Sequence, residues 1–172
     1  WGEEAISGKP GPEGRVVVVV EAVVVVVDAV VYTLAEALRW RYPERFEGAD
    51  EAIEAIARIA RGEQVIVVDD EDRENEGDLI VAAEHVTPDA VNFMASQGRG
   101  LICVAMMPEP LSRLGLMSMP SRGRGDAFGT AFMESVDATR GITTGISAHD
   151  RAETIRTLVD PSSTRADLVS PG

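Results

Sequence analysis

The stretch that decides the fold is Val65-Ile-Val-Val-Asp-Asp-Glu-Asp-Arg-Glu-Asn-Glu-Gly-Asp78. Its first four residues are branched and apolar, which predicts a short buried strand. Carboxylates then dominate, with Arg73 as the only cation among them. Because like charges repel, such a run needs solvation, a bound divalent cation or raised carboxyl pKa values. Gly77 predicts a sharp turn and Leu79 resumes the apolar pattern, so we interpret the run as an acidic loop held between two apolar segments, as in a binding site.

Composition limits the classes of protein that fit. A chain of 172 residues is long enough for one domain with a real core. Its net charge of −13 argues against nucleic acid or an anionic membrane as a partner. The single cysteine, Cys103, excludes an internal disulfide framework and a cysteine-based zinc cluster, and it favours a reducing cytoplasm.

The N-terminal region is of low complexity. Two pentavaline runs, Val16–Val20 and Val23–Val27, are separated by Glu21-Ala22 and followed by Asp28. In a bilayer the two carboxylates would each cost a few kcal/mol, which disfavours a membrane span, whereas the runs themselves are strand-prone. We therefore assign residues 1–47 to a Val-rich extension of unknown role and residues 48–172 to a domain.

Helical periodicity is clearest before the acidic loop. Ile53, Ile56 and Ile59 share one face of a helix predicted from Asp50, its cap, to Gly62, its end. The order of helix, strand and loop predicts an α+β or α/β unit. Further elements are predicted downstream: a helix opened by Thr87-Pro88 with Val91, Phe93 and Met94 turned inward, a buried strand over Leu101–Ala105, a strand over Thr130–Val136, and a helix over Arg151–Val159 begun by the capping box Ser147-Ala-His-Asp150.

Two motif readings compete for the acidic loop. Aligning Gly77 with the invariant glycine of an EF-hand puts Ala83 where a bidentate glutamate is required, so that reading fails. Asp70-Glu-Asp72 after a strand has the form of an Asp-nucleophile phosphatase of the haloacid-dehalogenase type, but Glu74 replaces the small or branched residue expected next. The phosphatase is kept as an alternative.

The run Asp69-Asp-Glu-Asp-Arg-Glu-Asn-Glu-Gly-Asp-Leu79 closely resembles the signature of the 3,4-dihydroxy-2-butanone 4-phosphate synthase family, lyases of riboflavin biosynthesis. The resemblance covers about Asp50 to Gly172. Its further segments are Ala82-Ala-Glu84, Thr87-Pro88, Asn92-Phe-Met-Ala95, Gly98-Arg-Gly-Leu-Ile-Cys-Val104, Arg113-Leu-Gly-Leu116, Gly129-Thr-Ala-Phe132, Ser135-Val-Asp-Ala138, Thr143-Thr-Gly-Ile-Ser-Ala148, Asp150-Arg-Ala152, Asp167-Leu168 and Pro171-Gly172.

The resemblance implies an α+β fold (an α/β-type sandwich), with a mixed sheet and flanking helices. It also implies Mg²⁺-dependent or Mn²⁺-dependent conversion of the phosphosugar D-ribulose 5-phosphate to 3,4-dihydroxy-2-butanone 4-phosphate and formate. The enzyme is expected to be a cytoplasmic homodimer. The alternative to a lyase, besides the phosphatase, is a non-catalytic Mg²⁺-binding remnant that acts as a dimerisation module.

The same resemblance implies roles for five residues in or after the loop. Glu74 is the metal ligand and contacts the substrate, as Arg73 does. Asp78 binds the sugar and belongs to the catalytic set, with Glu76 as a candidate acid/base. Cys103 joins that set at the edge of the substrate pocket.

Two threonines complete the predicted site. Thr143 and Thr144 precede a helix start, where hydroxyls and free N–H groups can meet an anion or a sugar. Ser147 caps that helix. We expect neither histidine, His85 or His149, to bind metal, because the family's metal-binding histidine lies in a Gly-His-Thr-Glu segment that this chain does not contain.

The resemblance also implies groups that this sequence lacks. Beyond the position of Gly172 the family continues with a catalytic histidine, an arginine, the Gly-His-Thr-Glu segment and a catalytic glutamate. We therefore expect a fold incomplete at the C-terminus and about half of a site in residues 1–172. A longer parent protein is expected, in which a GTP cyclohydrolase II domain can follow.

Overall fold

The computed structural model describes residues 49–68, 77–120 and 131–172, and residues 20–25 as a backbone strand. The chain divides into two compact units, Trp1–Ala105 and Met106–Gly172. Helices, a mixed sheet and a separate two-stranded sheet make an α+β architecture, as predicted. Within the described ranges, no helix has both the length and the apolar character needed to cross a membrane.

The first unit is built on a four-stranded sheet in the order β2-β3-β1-β4. Its strands are β1 (Val20–Val25), β2 (Val65–Val68), β3 (Gly77–Ala82) and β4 (Arg99–Ala105). Strand β1 runs parallel to both β3 and β4, whereas β2 is antiparallel to β3. The strand tendency of the valine runs is thus confirmed for residues 20–25, which lie between β3 and β4.

Helix α1 (Ala49–Ala60) packs on β2 and β3. Ile59, Val65 and Ala82 form a buried cluster, against which Ile80 packs. The helix begins at Ala49, so the prediction that Asp50 precedes it as the cap is wrong by one or two positions, within the usual fraying of helix ends. This cluster covers part of one face of β2 and β3, the two strands that flank the acidic loop.

The outer strands are less buried than their apolar sequences predict. In β2 only Val65 is buried, and Ile66, Val67 and Val68 are exposed. In β4 Leu101 is 55% exposed, so the prediction of a buried strand is also wrong there. Both strands lie at edges of the described sheet, where each has one neighbouring strand and incomplete cover.

The predicted helix after Thr87 is α2 (Pro88–Phe93). The Thr87 hydroxyl accepts a hydrogen bond from the N–H of Ala90 at 3.1 Å and caps the helix. Val91 and Met94 are fully buried, as predicted, but Phe93 is exposed, which contradicts the prediction. Two residues span about 200° of helical turn, so Phe93 points away from the side on which Val91 and Met94 lie.

The second unit contains α3 (Pro108–Arg113), β5 (Asp137–Ala138), α4 (Ala148–Val159) and β6 (Leu168–Val169). Strands β5 and β6 pair antiparallel. The strand predicted over Thr130–Val136 is wrong for residues 131–136, which form only an isolated bridge between Met133 and Ser118; Thr130 lies outside the described residues. The core of this unit lies on one side of α4. It consists of buried apolar residues: Leu114, Ala138, Ala152, Ile155, Leu158 and Leu168.

Helix α4 confirms the predicted cap and corrects the predicted start. The Ser147 hydroxyl accepts a hydrogen bond from the N–H of Asp150 at 3.0 Å. The helix begins at Ala148, three residues before the predicted Arg151. The N-terminus of α4 therefore follows directly on the turn that contains the two predicted substrate-binding threonines.

Candidate functional site

The two ends of the acidic loop are held together by the sheet. Val68, the last residue of β2, pairs with Gly77, the first residue of β3, in an antiparallel ladder. Arg73, Glu74 and Glu76 lie in residues 69–76, outside the described residues, so their roles stay predictions. The structure shows that the loop connects two neighbouring strands. It begins after Val68, the end of β2, and ends before Gly77, the start of β3, so Asp78 is the second residue of β3.

Asp78 and Cys103 lie on the same face of the sheet. Strand register places Ile80, Val23 and Cys103 side by side across β3, β1 and β4. Because side chains alternate along a strand, Asp78 shares the face of Ile80. From the strand spacing and rise, the Cα atoms of Asp78 and Cys103 are about 12 Å apart. Both residues are half-buried, and α1 packs on the same face at Ile80.

The structure gives His85 a structural contact. Its Nε2 lies 3.2 Å from the carbonyl oxygen of Ala60, at the end of α1. Gly62 has a φ of +80°, and a Cβ there would lie 2.9 Å from the Cβ of His85, so the chain turns closely past this side chain. In the described part of the chain, no three His, Cys, Asp or Glu side chains converge on a metal position. The expectation that His85 is not a metal ligand stays a prediction.

In the second unit, Asp150 organises the turn that contains the two threonines. Its Oδ2 accepts hydrogen bonds from the Thr143 hydroxyl at 2.8 Å, the Thr144 N–H at 3.2 Å and the Gly145 N–H at 3.1 Å. Asp150 is 2% exposed, although it is a charged residue. A buried carboxylate needs several donors to offset its lost hydration, and the turn supplies them.

These hydrogen bonds decide the ionisation of Asp150. Burial by itself would raise the pKa of the carboxyl group, because it disfavours the charged form. Donors from Thr143, Ser147 and the Thr144 backbone more than offset that effect and lower the pKa to about 2. Asp150 is therefore a carboxylate at any physiological pH.

A second carboxylate lies against the same turn. Gly145 has a φ of +82°, a conformation that side-chain-bearing residues rarely adopt. A Cβ at this position would lie 2.1 Å from the Oδ2 of Asp137, so only glycine fits. The carboxylates of Asp137 and Asp150 thus both approach Gly145.

The threonine turn differs from the prediction in one respect. Sequence analysis expected free N–H groups before α4, but those of Thr144 and Gly145 are bound to Asp150. Sequence reasoning also missed that Asp150 organises this turn, because Ser147-Ala-His-Asp150 was interpreted only as a capping box. The signal that could have found it is the residue type: aspartate is one methylene shorter than the glutamate that usually reaches back to the cap in this motif.

The chain is similar in sequence and structure to known proteins. The sequence model of the 3,4-dihydroxy-2-butanone 4-phosphate synthase family matches residues 53–172. The enzyme of that name from Agrobacterium fabrum is 53% identical over 119 residues, which are 69% of this chain and 55% of that protein. Riboflavin biosynthesis protein RibBA of Aquifex aeolicus is 54% identical over 121 residues, 69% of this chain and 30% of that protein. A crystal structure of 3,4-dihydroxy-2-butanone 4-phosphate synthase in complex with two magnesium ions superimposes with a TM-score of 0.66 at 44% identity, covering 69% of this chain and 55% of that one.

The chain thus spans from under a third to just over half of the length of these relatives. Their α+β fold is shared by the part of this chain that matches them, which confirms the predicted fold class. The match also begins close to the start of the domain predicted from residue 48, although the boundary at residue 47 itself stays a prediction. Because the family model covers well over half of the sequence, the chain belongs to the 3,4-dihydroxy-2-butanone 4-phosphate synthase family.

Proposed function

We propose that this protein is a lyase that converts D-ribulose 5-phosphate to 3,4-dihydroxy-2-butanone 4-phosphate and formate, for riboflavin biosynthesis. The observation that carries the proposal is the family match over residues 53–172, which includes the acidic signature. The structure adds that the signature is closed at its base by the pairing of Val68 with Gly77 and is followed by Asp78 on the face that carries Cys103.

The reaction suits an acidic, metal-binding site. A five-carbon sugar phosphate is converted to a four-carbon phosphate and formate with no net gain or loss of atoms. Protons move, one water leaves and one is added, the carbon skeleton shifts, and one carbon–carbon bond breaks to release formate. Repeated proton transfers need positioned acids and bases. Carboxylate oxygens, which the signature supplies in excess, are the ligands that Mg²⁺ prefers, and Mn²⁺ accepts them too. When bound, the metal polarises carbonyl and hydroxyl oxygens of the sugar.

The residues divide this work as follows in our proposal. Glu74 holds the metal, and Arg73 binds the substrate beside it. Glu76 transfers protons, and Asp78 binds a sugar hydroxyl from the start of β3. Cys103 borders the pocket from β4, on the same face of the sheet as Asp78.

Replacement of Glu74 tests the metal assignment. Glu74→Gln keeps the size of the side chain and removes its charge, so we expect Mg²⁺-dependent formate release to fall by at least about 100-fold, more than the loss typical of an outer-shell partner. Glu109→Gln changes an exposed carboxyl in α3 in the same way and is the matched control, expected to retain activity. Full activity in Glu74→Gln would disprove the assignment.

We further propose that the protein is a cytoplasmic homodimer. Three apolar side chains, Met117, Met119 and Phe132, are 69%, 57% and 45% exposed. They share one face of the bridge between Ser118 and Met133, because the Met119 N–H donates to the Phe132 carbonyl and Met117 lies two residues from Met119. A second copy would remove this surface from water. Light scattering is expected to give the mass of two chains, and Met119→Lys the mass of one; a monomeric wild type would contradict the proposal.

Neither alternative function gains support. None of the relatives named above is called a phosphatase. The two alternatives still make distinct predictions: an Asp-nucleophile phosphatase would release inorganic phosphate and lose that activity in Asp70→Asn, and a remnant would bind Mg²⁺ without turnover.

A further inference from the structure

One strand of the four-stranded sheet comes from outside the part of the chain that matches the family. Strand β1 (Val20–Val25) lies between β3 and β4 and runs parallel to both. The other three strands lie within residues 53–172, which the family model matches, whereas β1 precedes that range. A segment outside the match therefore occupies the position between β3 and β4, here called the central position.

The central position needs an occupant. Two strands that flank a third are about 10 Å apart, too far to pair with each other. Without a strand between them, β3 and β4 would each direct a row of unpaired N–H and C=O groups into the gap. The magnesium-bound synthase superimposes over 69% of this chain, a share as large as residues 53–172. A relative that arranges β3 and β4 in the same way needs a strand of its own at the central position.

Strand β1 fits the central position imperfectly. Its register with β4 shifts between Val20 and Ala22, at Glu21. On the other side, Glu21 is the register partner of Asp78 in β3. Like charges at paired positions of neighbouring strands are unfavourable. Both defects involve Glu21, next to a residue of the candidate site, so a strand without a charge there would pair better.

We propose that β1 is a replaceable strand, which holds the central position until an apolar strand from the part of the family domain outside residues 53–172 displaces it. Pairing along a strand uses backbone hydrogen bonds, which any extended segment can make. A central strand covered on both faces favours apolar side chains throughout, which β1 does not have at Glu21. The proposal rests on the strand order and the family match, and it is independent of the catalytic activity.

A disulfide cross-link reports where β1 lies. Val23 is the register partner of Cys103, the only cysteine of the chain. Neighbouring strands are about 4.8 Å apart, within the Cα separations that a disulfide spans. We expect Val23→Cys, oxidised with copper phenanthroline, to cross-link within one chain of residues 1–172. Val24→Cys is the matched control, because position 24 lies on the opposite face of the strand, and its yield is expected to be at least about 10-fold lower.

Displacement is measured with the same two variants in residues 1–172 joined to the part of the Agrobacterium fabrum relative that follows its matched segment. We expect Val23→Cys to cross-link at least about 10-fold less in the joined chain, because the competing strand then takes the central position. An equal yield in the joined chain would overturn the proposal, since β1 would be a permanent strand. A cross-link at the mass of two chains would also overturn it, since β1 would then come from a second copy.

Deletion of residues 1–47 is a second measurement that needs no cross-link. In residues 1–172 the deletion opens the central position, and we expect the cooperative thermal transition to be lost. In the joined chain the same deletion is expected to change Tm by no more than about 2 °C, because β1 no longer contributes there.

The other outcomes contradict the proposal. Equal destabilisation of both chains by the deletion would show that β1 is not replaced, and no effect on residues 1–172 would show that it does not hold the central position. A joined chain that does not fold would show that the added segment does not complete the sheet. Formate release is measured separately, so failure of this proposal is distinguishable from failure of the proposed function.

Discussion

Replacement of Gly145 by alanine is the sharpest test of the packing around the threonine turn. Its φ of +82° puts an alanine in a left-handed conformation, and the new Cβ would lie 2.1 Å from the Oδ2 of Asp137. The first effect costs about 1–2 kcal/mol. The second forces Asp137 or the turn to move, for which overpacking of about 1–3 kcal/mol is a reasonable scale.

Together these effects predict a loss of about 3 kcal/mol of unfolding free energy. For a chain of this length, that corresponds to a decrease in Tm of about 6–12 °C. Thermal unfolding followed by circular dichroism measures it directly.

Gly141→Ala is the matched control. Gly141 has a φ of +73°, but the nearest atom to its Cβ position is the Glu153 Cγ at 3.1 Å, part of a flexible side chain that can move aside. Only the backbone cost is then expected. In an Asp137→Ala background, Gly145→Ala is likewise expected to lose its steric part and cost about 1–2 kcal/mol. If Gly145→Ala costs no more than Gly141→Ala, or costs the same with and without Asp137, the close approach is not what requires glycine.

Three further predictions address other contacts. Thr87→Ala removes the cap of α2 and is expected to destabilise the protein by about 1 kcal/mol, with Thr87→Ser as the control in thermal unfolding. Because the folded pKa of Asp150 is about 2, below the unfolded value of about 3.9, its carboxylate stabilises the fold above about pH 4 and that stability is lost as pH falls toward 2. Denaturant titrations between these pH values should show a flatter acid limb in Asp150→Asn; an unchanged limb would contradict the assignment. His149, whose side chain is 66% exposed, should be replaceable by alanine with formate release nearly unchanged, and a large loss would show that it takes part.

The parts of the fold that follow from local pattern were predictable. Four branched residues gave β2, and proline after a capping threonine gave α2. Exposure was not predictable in the same way, because it depends on which strands end at the edge of the sheet. Ile66 and Leu101 look like core residues in sequence, and they are exposed because β2 and β4 are outer strands.

The place of β1 was also beyond sequence reasoning. Val20-Glu-Ala-Val-Val-Val25 is strand-prone, but it lacks the regular alternation of apolar and polar side chains that selects a partner strand and a register. The structure pairs it with both β3 and β4.

For the candidate site, the sequence predicted which residues take part better than it predicted their contacts. Asp78 and Cys103 were predicted from the family resemblance, and the strand register places them on one face of the sheet. Thr143 and Thr144 were named for their position before a helix, but the hydrogen-bonding role of that turn depends on Asp150. The sequence motif predicted Asp150 only as a capping residue. Its side chain instead accepts hydrogen bonds from the preceding turn, a contact that the motif does not specify.

The central claim is that this protein cleaves formate from D-ribulose 5-phosphate with the help of a divalent cation. The most direct measurement is formate release with Mg²⁺ and with EDTA, on residues 1–172 and on the same residues joined to the part of the Agrobacterium fabrum relative that follows its matched segment. The account predicts Mg²⁺-dependent release from the joined chain, lost in Glu74→Gln. No formate from the joined chain, or release that EDTA leaves undiminished, would contradict it.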